Sequence, residues 1–128
     1  MNKGTDMIGY VTLGTNDIER AAKFYDALLG ELGATRMMST DSLIMWSVDP
    51  GKPMLAVIKP HNGQAATGGN GTMVALVVDS KDKVDSIYKK AIALGATDEG
   101  ANGPRGDSFY AGYFRDMDGN KLNVFKMG

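Results

Sequence analysis

The sequence predicts an α+β fold made of two βαβββ modules. Three observations carry the prediction: the chain repeats itself, each copy alternates as a strand and then stripes as a helix, and a polar glycine-rich stretch joins the copies. The repeat runs from YVTLGTNDIERAAKFYDALLGELGAT, beginning at Tyr10, to MVALVVDSKDKVDSIYKKAIALGAT, beginning at Met73. Val11 meets Val74, Leu13 meets Leu76 and Tyr25 meets Tyr88 at constant spacing. One residue is then lost, and Leu32-Gly33-Ala34-Thr35 meets Leu94-Gly95-Ala96-Thr97. Further on, DSLIMWSVD (Asp41 to Asp49) resembles DSFYAGYFRD (Asp107 to Asp116), with one extra residue in the second copy. Two long copies do not make a solenoid, so two modules facing each other is the simpler reading.

Each module opens with a short alternating run, Tyr10-Val11-Thr12-Leu13 in the first and 73–78 in the second, and these read as strands. A helix follows. Ile18, Ala21, Ala22, Tyr25, Leu28, Leu29 and Leu32 recur at helical spacing, with Glu19, Arg20, Lys23 and Asp26 off that stripe. Asn16 is the expected cap, with Glu19 three residues on, and Gly33 the expected stop. In the second copy Val84, Ile87, Tyr88, Ala91 and Leu94 form the stripe, Asp79 or Ser80 caps it and Gly95 ends it. Three strands are expected after each helix, near 34–40, 43–48 and 53–59, then near 97–101, 108–115 and 120–126. The modules are therefore 1–59 and 72–128, and PHNGQAATGGNG, 60–71, is the linker. Such a linker allows the modules to pair within one chain, as one structural domain, or across a swapped dimer.

Composition narrows the function. The 128 residues are 43% hydrophobic and 23% charged, ordinary for a globular chain. The absence of cysteine excludes disulfides, thiolate metal sites and cysteine nucleophiles. A formal charge of −1 without a basic stripe gives no footprint for nucleic acid. No apolar run reaches the length of a membrane span, and MNKGTDMIGY lacks the apolar core of a signal peptide, so the expected location is the cytoplasm. The lone histidine, His61, lies in the linker without convergent partners. GGNG in the linker lacks the context of a dinucleotide fingerprint. DMDG begins like a calcium loop but lacks its later ligands, and a hairpin turn accounts for it.

VTLGTNDIERAAKFYDALLGELG, VALVVDSKDKVDSIYKKAIALGA and YFRDMDGNKLNVF together resemble the vicinal oxygen chelate superfamily. That group includes glyoxalase I, bleomycin-resistance and fosfomycin-resistance proteins and extradiol dioxygenases. The resemblance covers nearly the whole chain. It implies two βαβββ modules forming a curved eight-stranded mixed sheet, helices on the convex side and a concave cleft opposite. Metal-using members hold a divalent cation through one residue on the first and last strand of each module, commonly His and Glu. The matching positions here are Tyr10, Ala56, Met73 and Asn123. A hard cation wants carboxylates, imidazoles or several carbonyl oxygens, so no metal and no other cofactor is expected. Asn123 stands where such an enzyme would keep a carboxylate.

Strand alternation turns Tyr10, Thr12, Trp46, Met54, Ala56, Ile58, Met73, Ala75, Tyr113, Arg115, Asn123 and Phe125 away from the helices. Tyr10, Thr12, Trp46, Met73, Tyr113, Arg115, Asn123 and Phe125 are the candidate ligand-binding residues, with Trp46 and Tyr113 at equivalent positions to flank a flat ligand. A packed core or a dimer interface is the competing reading of this surface. Arg115 either holds an anion or pairs near Asp116. GANGPRGDSFY carries Arg105 and Asp107 and is a candidate lid, with a surface loop the alternative. The expected function is metal-free binding of a small, partly aromatic molecule in the cleft by a homodimer. A glyoxalase-like lyase or isomerase, metal-dependent or not, and a purely structural dimer are the alternatives. No catalytic residue is assigned.

Overall fold

The structure is a computed structural model that describes residues 7–128. Each module is built as the repeat predicts. The first contains β1 (Tyr10–Gly14), α1 (Ile18–Gly30), β2 (Thr35–Ser39), β3 (Leu43–Ser47) and β4 (Met54–Ile58). The second contains β5 (Val74–Val77), α2 (Lys81–Ala93), β6 (Thr97–Pro104), β7 (Phe109–Arg115) and β8 (Lys121–Met127). The chain divides into two compact units between Ala65 and Ala66, inside the linker.

Both sheets are four-stranded and mixed, ordered β1-β4-β3-β2 and β5-β8-β7-β6. The first strand of each module runs parallel to the last, and the other pairs are antiparallel. The helix supplies the long crossover that a parallel pair requires.

The caps explain where the helices begin and end. Asp17, not Asn16, caps α1: its carboxylate accepts from the Arg20 N–H at 3.1 Å. Ser80 caps α2 by accepting from the Lys83 N–H at 3.1 Å. Both helices close in a Schellman turn. Ala34 N–H reaches the Leu29 carbonyl and Gly33 N–H the Gly30 carbonyl, while Ala96 reaches Ala91 and Gly95 reaches Ile92. Gly33 (φ +83°) and Gly95 (φ +110°) take the left-handed position that a side chain disfavours.

Each helix buries its stripe on one sheet face. Tyr25 and Leu28 of α1 are buried with Trp46 and Val57 of the sheet beneath; Ile87 of α2 is buried with Phe114, Leu122 and Val124 of the other sheet. Tyr88 packs on Gly112, where an added Cβ would stand 2.7 Å from the ring. Its hydroxyl then donates to Asp98 at 2.7 Å.

The DMDGN turn is a structural device. The Asp116 carboxylate accepts from the backbone N–H groups of Asp118 and Asn120 at 2.9 Å each, and from the Asn120 side-chain amide at 3.0 Å. Asp116 and Asn120 are both buried, so the β7–β8 turn is held from inside. The linker meets this turn: a Cβ on Gly68 would lie 2.1 Å from the Gly119 carbonyl oxygen.

Candidate functional site

The candidate site lies on the face of the second sheet opposite α2. Alternation along β7 sends Tyr110, Gly112 and Phe114 toward the helix, so Phe109, Ala111, Tyr113 and Arg115 face the other way. On β8, Leu122 and Val124 go to the helix side, and Lys121, Asn123 and Phe125 to the open side. Tyr113 and Asn123 are direct cross-strand partners, and Ala75 is opposite Asn123 on β5. The structure thus brings together Tyr113, Arg115, Asn123 and Phe125 as the sequence predicts.

Asn123 is 1% exposed, and its Oδ1 has no hydrogen-bond partner. A buried acceptor left unpaired costs about 1–3 kcal/mol. Among the described residues it is the sole buried side-chain polar atom in this condition. No group on the neighbouring strands satisfies it.

Cations gather around Tyr113. The Arg105 guanidinium carbon lies 5.4 Å from the ring centroid, and Lys121 Nζ lies 5.5 Å from it. Gly100 makes room for this arrangement. A Cβ there would stand 3.2 Å from Arg105 Nη2 and 3.4 Å from Tyr113 Cδ1. Arg115 is paired with Glu99 at 3.2 Å, not with Asp116, and also donates to the Gly119 carbonyl at 2.8 Å. Beyond Asn123, Phe125 stacks on Phe109 with centroids 5.3 Å apart.

The segment expected as a lid is largely strand β6 and its hairpin. Asn102 donates to Asp85 on α2, and Arg105 N–H bonds the Phe109 carbonyl at 2.6 Å. The Arg105 guanidinium bonds the Ala101 and Gly103 carbonyls at 2.7 and 3.0 Å. Arg105 thus sits in the site, while Asp107 stays exposed at the hairpin tip. On the helix side, hydrogen bonds from Asn102 and Tyr110 hold the Asp85 carboxyl below its ordinary range.

Trp46 is a correction. It is 2% exposed and lies under α1, its ring 5.8 Å from Tyr25 and its indole N–H bonded to Asp26 at 2.8 Å. Asp26 also receives a bidentate bond from Arg36 at 2.8 and 2.9 Å, the main cause of its lowered pKa. Strand pairing explains the error. Ala56 faces Met45, as Asn123 faces Tyr113. Met45 is therefore the counterpart of Tyr113, and Trp46 that of buried Phe114. Trp46 leaves the candidate site, and the idea of Trp46 and Tyr113 flanking a ligand falls with it.

The rest of the first module's open face is apolar and rich in thioether. Tyr10 and Thr12 on β1 are exposed, and Met54, Ala56 and Ile58 share their face. Met38 and Met45 continue it across β2 and β3. Met73 precedes β5 and is exposed. Lys121, Glu99, Phe109 and Met45 also lie on these open faces and are not among the residues the sequence singles out. Lys121 was within reach, because it shares the alternation of Asn123.

The donor set does not fit a hard divalent cation. The four positions implied by the resemblance carry a phenol, a methyl group, a thioether and a neutral amide. No group of three His, Cys, Asp or Glu able to hold a metal occurs among the described residues. No helix among them is long and apolar enough to cross a membrane.

Residues 7–124 match the family model of the Glyoxalase/Bleomycin resistance protein/Dioxygenase superfamily. A search of the curated proteins finds no match. Among solved structures, a glyoxalase/bleomycin resistance protein from Albidiferax ferrireducens is 35% identical. The alignment covers 96% of this chain and 100% of that one, with a TM-score of 0.87. A lactoylglutathione lyase from Agrobacterium tumefaciens is 22% identical over 96% and 95% of the two chains, TM-score 0.71. A fosfomycin resistance protein from Mesorhizobium loti is 16% identical over 100% and 95%, TM-score 0.69. The last two show likeness of fold alone.

Proposed function

This chain belongs to the Glyoxalase/Bleomycin resistance protein/Dioxygenase superfamily, and we propose that within it the protein binds a small, partly aromatic molecule without a metal. The observation that carries this reading is the buried, unpartnered Asn123 Oδ1 on a face bearing Tyr113 and the Phe109–Phe125 stack. Aromatic walls with a few placed polar groups are the chemistry of a small-molecule site. A ligand N–H or O–H would satisfy the acceptor that the fold leaves open. The substituted donor set supports the metal-free part, since neither thioether nor methyl serves a hard cation.

The proposed assembly is a homodimer. Tyr10, Met38, Met73 and Val77 are large apolar side chains left exposed at 58%, 49%, 41% and 70%. A second copy is the occupant that would cover them.

Chelator-treated protein should gain no thermal stability with Ni, Zn, Co or Mn salts, because a ligand specific to the folded state raises the melting temperature by mass action. It should bind aromatic fragments, and Tyr113→Ala should weaken them about tenfold. A metal that raises the melting temperature by several degrees would end the metal-free reading. Fragments that ignore Tyr113→Ala would end the assignment of the site.

A further inference from the structure

We infer that the ligand of this face is an aromatic carboxylic acid with an N–H or O–H donor between its ring and its carboxylate. The inference rests on the proposed binding function and deepens it by naming the ligand class. The order of groups along the sheet carries it. Strand β8 presents Lys121, Asn123 and Phe125 in sequence on one face. Its rise of about 3.4 Å per residue puts the first and last Cα atoms about 14 Å apart, with Asn123 midway.

Each group asks for a different part of the ligand. Lys121, at one end of that row, and Arg105 from the β6–β7 hairpin flank the ring of Tyr113, the cross-strand partner of Asn123. Lys121 has no salt-bridge partner among the described residues, whereas the neighbouring Arg115 is neutralised by Glu99. Two cations beside one ring, with the nearby carboxylate taken, suit an anion. In the middle, Asn123 Oδ1 is an acceptor without a donor. At the far end the Phe109–Phe125 stack offers an aromatic surface. The acceptor is covered in the unliganded chain, so the donor reaches it as neighbouring side chains part; Lys121 is long and has rotamers to spare, while Arg105 is held by the Ala101 and Gly103 carbonyls. Binding then removes the burial cost of the orphan oxygen and fills the cation pair in one step.

Benzoylglycine is a probe with this order of ring, N–H and carboxylate. It would be titrated calorimetrically into the full-length protein beside its methyl ester, N-methylbenzoylglycine and acetylglycine. Benzoylglycine should bind about tenfold tighter than the ester, which lacks the charge. Lys121→Gln, at a partly exposed position, should erase that difference. Asn123→Leu should erase the preference for N–H over N-methyl. Equal affinity for acid and ester would overturn this inference while leaving aromatic binding intact. Binding of acetylglycine as tightly as benzoylglycine would overturn the aromatic part. Failure of these compounds together with neutral aromatic fragments would overturn both this inference and the proposed function.

Discussion

Replacing Asn123 with leucine should stabilise the protein while removing its ligand selectivity. The Asn123 side chain is fully enclosed, and its Oδ1 has no donor. Desolvating that oxygen without a bond costs about 1–3 kcal/mol. Leucine keeps the same branched skeleton and has no polar atom to bury. Swelling from amide to isobutyl brings some overpacking, about 1 kcal/mol at a site flanked by Ala75 and Tyr113. The expected net gain is about 0–2 kcal/mol, or up to roughly 8 °C in melting temperature for a domain of this size. Urea denaturation with an unchanged m-value, followed in parallel with probe titration, is the assay. A loss of 1 kcal/mol or more would refute the reasoning, because it would show that the amide contributes to holding β8 in place. A gain in stability with unchanged ligand preference would refute its role as the ligand's acceptor. The two readouts move in opposite directions only if the fold carries this amide for binding.

Trp46→Phe should cost about 1–3 kcal/mol in urea melts, through loss of the 2.8 Å indole bond to the Asp26 carboxylate, and should leave aromatic binding unchanged. Gly112→Ala should destabilise by about 1–3 kcal/mol, since its Cβ would stand 2.7 Å from the Tyr88 ring; Tyr88→Leu in the same chain should recover part of that loss in thermal melts. Burial and then the Asp98 bond push the Tyr88 hydroxyl up to about 12. Its contribution to stability is therefore complete below the unfolded value near 10 and declines as pH rises toward 12. Urea midpoints from pH 9 to 12 should fall less steeply in Tyr88→Phe than in the parent. Asp26 is held low chiefly by Arg36, so its share of stability is present above the ordinary carboxylate value of 3.8 and is lost as pH falls below it. Asp26→Asn should flatten the acid limb of the same curve.

The two modules differ in how openly their strands announce which face is buried. On β8 the helix side carries Leu122 and Val124, and the open side carries Lys121, Asn123 and Phe125, so alternation fixes the parity. On β3 Leu43, Ile44, Met45 and Trp46 are apolar without interruption, and four of the five strand residues are buried. A strand of that kind has no period-two signal, and its face is set by partners. Matching Trp46 to Tyr113 displaces it by one residue, which turns every side chain to the other face. The reliable anchor was strand pairing through Ala56 and Asn123. The cation cluster is hidden for another reason: Arg105 lies over the Tyr113 ring where the β6 register shifts on either side of Gly100, and Gly100 leaves it room. Period-two alternation does not report such an irregularity.

Strand pairing distributes hydrogen-bonding groups unequally between the copies. At equivalent places the first module presents Met45 and Ala56, and the second presents Tyr113 and Asn123. The first pair gives adaptable apolar surface with no hydrogen-bonding capacity beyond a weak thioether. The second gives an aromatic ring, an orphan acceptor and two adjacent cations. Orientation of a ligand requires directional groups, whereas affinity for an apolar body does not. Phe125→Leu should therefore weaken aromatic probes as a class without altering their order. Changes at Lys121 and Asn123 should reorder them with smaller effects on the tightest apolar fragments. Calorimetric ranking of one fragment series against Phe125→Leu and Lys121→Gln separates these outcomes. A reordering produced by Phe125→Leu would show that the aromatic stack also reads the ligand's polarity, contrary to the division of roles along β8.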